Sequence, residues 1–90
     1  MPKQNQPDGL ISVLLDEKAE FGDRDDAALD LAAYDEPAAE GALLTIALGK
    51  DADLADSAGH SIWEIWQRKR KHDGDIVARM HPEARKFFQK

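Results

Sequence analysis

Apolar residues recur at intervals of three and four along nearly the whole chain, the pattern of helices that each bury one face. Ile11, Leu14 and Leu15 share a face with Lys18, and Phe21 closes it, with Gly22 breaking this first helix. Asp23, Asp25 or Asp26 can cap a second helix, whose stripe is Ala27, Ala28, Leu31 and Ala32. Tyr34-Asp35-Glu36-Pro37 marks the sharpest boundary. Proline suits the first turn of a helix, where its missing N–H has no intrahelical partner, and acids suit the positive end of the helix dipole. A third helix carries Ala39, Ala42, Leu43, Ile46 and Ala47 and ends at Gly49. Asp51 or Asp53 starts a fourth, striped by Leu54, Ala55, Ala58, Ile62, Ile65 and Trp66, which runs into Arg68-Lys69-Arg70-Lys71 and stops before Asp73-Gly74. Asp75 can cap a short fifth helix with Ile76, Val77 and Met80. His81-Pro82-Glu83 then restarts a last one that buries Ala84, Phe87 and Phe88. Nowhere do β-branched or aromatic residues alternate with polar ones over a strand length, so the expected fold is all-α. Ile46 and Ile62 sit mid-stripe and are expected to be almost fully buried.

The stripes also repeat. Ile11, Leu14 and Leu15 match Leu43, Ile46 and Ala47 at an offset of 32 residues, and Ala27, Ala28 and Leu31 match Ala58, Gly59 and Ile62 at 31. Such a period predicts two helical hairpins, residues 10–34 and 36–70, stacked side by side with their second helices parallel. Small residues at Ala27, Ala28, Ala58 and Gly59 would let neighbouring backbones approach closely. Glycine inside a helix costs roughly 1 kcal/mol against alanine, so Gly59 calls for a close contact that compensates. Stacked hairpins also need their open apolar side covered. Residues 75–90 are expected to be that cap, with Phe87 and Phe88 on the stack and Arg85, Lys86 and Lys90 in water.

The stretch from Arg24 to Gly49 resembles the junction between consecutive HEAT repeats, in which an Arg- and Ala-rich second helix ends at an Asp-x-Pro turn and a Leu-rich first helix follows. Ala58-Gly59-His60-Ser61-Ile62-Trp63-Glu64-Ile65-Trp66 is similar to the next second helix of short bacterial HEAT-like repeat (α-solenoid) proteins. The likeness spans residues 10–68, with a period shorter than the roughly 40–47 residues usual for HEAT units. It implies two stacked antiparallel hairpins of HEAT-like type plus a short C-terminal helical cap. It also implies a scaffold that binds another protein and catalyses nothing.

Ninety residues make a single small domain, here a flexible lead-in over 1–9 and a helical body over 10–90. Without cysteine the chain has neither disulfides nor thiolate metal ligands. The first nine residues lack the apolar run of a signal peptide, and no stretch approaches the ~20 apolar residues of a membrane span. The expectation is a soluble, cytoplasmic protein with no membrane partner. Net charge is −6 and unevenly spread: residues 1–64 hold 4 Lys/Arg against 15 Asp/Glu, whereas residues 65–90 hold 8 against 3. An acidic body disfavours general nucleic-acid binding and favours a basic or mixed-charge protein partner. With parallel second helices, Asp23, Asp25, Asp26, Asp51 and Asp53 would share an acidic edge, away from a basic edge at 68–71. These five residues and Trp63, at the margin of the fourth helix's stripe, are the candidate partner-binding residues.

Catalytic chemistry has no constellation to rest on. There is no nucleophile beside a base, no glycine-rich phosphate loop and no paired-histidine zinc helix. His60 and Glu64 are spaced i, i+4, which would suit a chelated metal, but no spacing rule brings His72 or His81 to join them. A solvated pair is the expectation, with no metal or cofactor. The Arg68–Lys71 run beside Trp63 and Trp66 leaves two alternatives to the scaffold reading. One is a nucleic-acid-associated protein using that run; the other, based on charge and size, is a small immunity or antitoxin protein that occludes a toxin. Structurally, the run is a solvated helix end matched to its dipole.

Overall fold

A computed structural model describes residues 7–89. Helices α1 (Asp8–Leu15), α2 (Phe21–Asp30), α3 (Pro37–Ala47), α4 (Ala52–Lys69), α5 (Gly74–Arg79) and α6 (Pro82–Arg85) follow in order. Short 3-10 turns extend α2 through Leu31–Ala33 and α6 through Lys86–Phe88. No strand occurs among the described residues. The fold is all-α, with two stacked antiparallel hairpins, α1/α2 and α3/α4, and a short C-terminal helical cap, α5 and α6.

The stacking register is fixed by hydrogen bonds between α2 and α4. Ser57 Oγ donates to Asp25 Oδ1, and Ser61 Oγ donates to the Ala28 carbonyl at 2.7 Å. Arg68 then reaches Asp35 just past the end of the first hairpin. The partners are 32 and 33 residues apart, one to two more than the 31-residue offset between the second-helix stripes. Because contacts advance together along both helices, α2 and α4 run parallel.

On the other side of α4 lies α6, set in the same direction. The His81 N–H donates to the Ala47 carbonyl at 2.8 Å, Lys86 pairs with Asp56 at 2.9 Å, and the Phe88 ring stands 5.4 Å from that of Trp66. Gly59 lies opposite Ser57 and Ser61 on the helical wheel and faces α6. A Cβ added there would fall 2.5 Å from Ala84 Cα and 2.8 Å from its carbonyl oxygen. The glycine is therefore a contact point where two backbones meet. Alanine at 59 would gain about 1 kcal/mol of helix propensity, but forcing α6 outward costs more, typically 1–3 kcal/mol for an overpacked core. Gly59→Ala should thus lower stability by a net amount of up to about 2 kcal/mol. Chemical denaturation would show it; a variant more stable than wild type would mean α6 does not pack this closely.

The molecule is 16 Å across its thinnest dimension, two helices deep. One layer holds α1 and α3, the other α2, α4 and α6. Leu14, Leu31, Leu43, Leu54, Ile62, Ile65 and Trp66 fill the space between them and are almost wholly inaccessible.

Several boundaries and burials differ from expectation. The first helix stops at Leu15, because the Asp16 carboxylate accepts the Lys18 backbone N–H at 2.9 Å and turns the chain. Lys18 is therefore exposed in a loop. Phe21 opens α2 instead of closing α1, and it is 49% exposed. Gly22 sits in the first turn of α2, where an added Cβ would meet nothing, so it breaks no helix. Glu20 occupies the N-cap, leaving Asp23, Asp25 and Asp26 inside the helix without a capping role. Asp73, not Asp75, caps α5, accepting from the N–H groups of Asp75 and Ile76. Ile46 is only half-buried, since the last turn of α3 opens onto a cleft between the hairpin loops. Most of the expected lead-in, and Lys90 of the cap, lie outside the described residues; α1 already begins at Asp8.

Candidate functional site

Parallel second helices bring the α1–α2 and α3–α4 loops to one end of the slab. Residues 16–26 and 50–53, which form these loops and the first turns beyond them, contain eight carboxylates and three cations. Asp23, Asp26, Asp51 and Asp53 are all exposed there. Asp51 is also the N-cap of α4, its Oδ1 accepting the Leu54 N–H at 3.0 Å. Asp25 differs: it is half-buried and bound to Ser57, a structural tie between hairpins. Of the three cations, Arg24 is turned inward, its Nε donating at 3.0 Å to the Leu14 carbonyl at the end of α1. A cleft of about 500 Å³ runs between the two loops, with Glu17, Arg24, Ile46, Lys50, Asp51 and Leu54 on its walls.

The sequence pattern did not single out the apolar component of this end. Leu15, Phe21 and Leu48 are 42%, 49% and 43% exposed. All three sit where a helix meets one of these loops. Leu15 and Phe21 looked like core residues because their spacing continues one stripe; the helix ends before that stripe does.

The opposite end is organised by an acid. Glu40, in the first turn and a half of α3, is only 6% exposed. It accepts the Trp66 Nε1–H at 3.1 Å and the Lys71 ammonium at 2.6 Å, with Lys69 at 3.5 Å. Burial pushes its carboxyl pKa up. The Lys71 hydrogen bond, the Trp66 N–H and the charges of both lysines outweigh that and hold the carboxyl below its ordinary value. Arg68 meanwhile pairs with Asp35 at 2.6 Å. Three cations of the 68–71 run are therefore paired with two carboxylates, Asp35 and Glu40. The basic end does stand apart from the acidic loops, and three of its four cations reach acids that precede or open α3.

Trp63 lies away from the acidic residues with which it was grouped. It is half-buried on the far part of α4, beside a second cleft near the end of the chain. Trp66, by contrast, is 2% exposed, as its place in the stripe requires. His60 and Glu64 stand 3.4 Å apart, each more than 40% exposed. No cluster of three or more potential metal ligands occurs among the described residues. Nor is any helix among them long and apolar enough to cross a membrane. Comparison with protein-family models, curated proteins and solved structures finds no match.

Proposed function

We propose that this protein is a non-catalytic binding module, built from short HEAT-like repeats, that takes a basic or mixed-charge protein partner on its acidic loop end. The observation that carries this reading is the coincidence of Leu15, Phe21 and Leu48, exposed, with eight carboxylates at the same end. Apolar side chains rimmed by charge are what a protein interface needs: the centre supplies area and the rim sets orientation and rate. Carboxylates clustered on one end give a stronger local field than the net charge of −6 implies. A toxin whose basic active site is occluded by this end would be one instance of such a partner. The nucleic-acid alternative loses support, since Arg68, Lys69 and Lys71 are each engaged by carboxylates.

A lysine-rich amphipathic helical peptide, labelled for fluorescence, is a suitable test partner. Asp23→Lys combined with Asp26→Lys should slow its association about tenfold at low salt. The melting temperature should hardly move, because both side chains are exposed. Asp25 is left intact, since its reversal would break the tie to Ser57. Phe21→Ala should instead speed dissociation while leaving association nearly unchanged. An association rate indifferent to the double reversal at low salt would remove the acidic end as the contact surface.

A further inference from the structure

At the far end of α4 from the acidic loops is a cleft of about 330 Å³ walled by Trp63, Gln67, Arg70, His72, Phe87 and Phe88, with Trp66 and Lys71 also lining it. A volume of this order suits one ring-bearing small molecule. Rings surround it: Phe88 meets Trp66 edge-on at 5.4 Å, and His72 meets the same indole at 6.3 Å. Its charge is positive, and the available part of that charge is Arg70. The Lys71 ammonium lies over the Trp66 ring but is bound by Glu40. The Arg70 side chain is exposed and has no hydrogen-bond or ion-pair partner among the described residues.

Arg70 is also the residue whose backbone is least suited to its side chain. It closes α4 in the left-handed conformation, φ 56 and ψ 47, the one non-glycine residue at positive φ among those described. The Lys71 N–H returns to the Trp66 carbonyl at 2.9 Å, completing a Schellman motif whose left-handed position ordinarily belongs to glycine. An arginine there carries a conformational cost that glycine would avoid. Its charge suits the negative end of the α4 dipole, but the guanidinium holds no other part of the described chain.

We propose that this cleft binds a small aromatic anion, its ring against Trp63 and Phe87 and its carboxylate or phosphate on Arg70. Aromatic faces accept a flat ring, and a guanidinium matches the two oxygens of either anionic group. A polyanion such as a nucleic-acid strand is disfavoured, because residues 1–64 carry 15 acids against 4 bases and would repel its continuation.

Nitrogen-15 NMR titration of the whole chain tests this with phenyl phosphate and 3-phenylpropionate as ligands. Inorganic phosphate and benzyl alcohol supply the charge alone and the ring alone. Both aromatic anions should shift the Trp63 indole N–H and the backbone signals of residues 70–72 and 87–88. They should bind at least about tenfold more tightly than either half. Arg70→Gly should raise the melting temperature by several degrees, roughly 5 °C, and weaken phenyl phosphate about tenfold. Arg70→Gln, which keeps the strained backbone but loses the charge, should weaken it equally without the gain in stability. Three results would overturn the proposal: aromatic anions binding no better than inorganic phosphate, an Arg70→Gly protein that binds phenyl phosphate as wild type does, or oligothymidylate binding more tightly than either monomer.

Discussion

Ile62→Ala should melt far below the wild type, and Ile46→Ala close to it. Both isoleucines lie mid-stripe in the sequence, but Ile62 is 0% exposed whereas Ile46 is half-buried beside the loop cleft. Truncating a fully buried isoleucine removes its transfer energy and leaves a cavity, costing roughly 2–5 kcal/mol. The neighbouring Ala55, Ala58 and Ala28 are themselves fully buried and too short to fill the gap. A small domain has only about 5–15 kcal/mol in total, so the loss is a large fraction of it. At position 46 part of the side chain already meets water and no closed cavity forms, so the cost should stay under about 1.5 kcal/mol. Urea denaturation of the two variants side by side decides the matter. Equal midpoint shifts would show that the end of α3 is packed as tightly as the middle of α4.

Glu40→Ala should cost roughly 2–3 kcal/mol, mostly by stranding the Trp66 indole N–H without an acceptor. The lysine contributions are smaller, because the Lys71 and Lys69 side chains are 44% and 31% exposed and water screens them. Glu40→Gln separates the two parts. It keeps an oxygen for Trp66 but loses the charge, so it should be milder. The same group makes the wild type sensitive to acid. Its folded pKa lies below the ordinary 4.5, so its contribution is complete above that value and is lost as pH falls through the depressed one. The stability difference between wild type and Glu40→Gln should therefore shrink steadily as pH falls below about 4.5. A difference that stays constant across that range would mean the carboxylate is not held in its charged form by the fold.

Helical periodicity carried most of this architecture. The Pro37 start, a start of α4 at Asp51 or Asp53, the buried stripe of α4 and the distinction between Trp63 and Trp66 were readable from residue spacing, and the repeat offset came within two residues of the α2–α4 contacts. What spacing does not encode is where a helix stops when its apolar stripe continues. Leu15 and Phe21 keep a helical rhythm across a turn that the Asp16 side chain makes, so the exposed apolar surface of the loop end was concealed. Nor does spacing reveal which charges are paired at long range. Glu40 sits three residues before Leu43 on the buried face of α3, a position where an acid reads as a solvated neighbour of the stripe. Its partners lie 26 to 31 residues away, on and just beyond α4. The 68–71 run looked like a free basic edge for the same reason.

The small residues that let these helices approach also shape how the protein responds to temperature. Nine of the eighteen buried apolar side chains among the described residues are alanines. An alanine exposes little apolar area when the chain unfolds, and newly hydrated apolar area is what raises the heat capacity of the unfolded state. The heat-capacity increment should therefore fall below the usual ~12–15 cal/mol/K per residue. Less curvature means a broad stability profile, falling away gently on both sides of its maximum. Close backbone packing in a thin two-layer slab thus gains width in that profile, which moves cold denaturation to lower temperature.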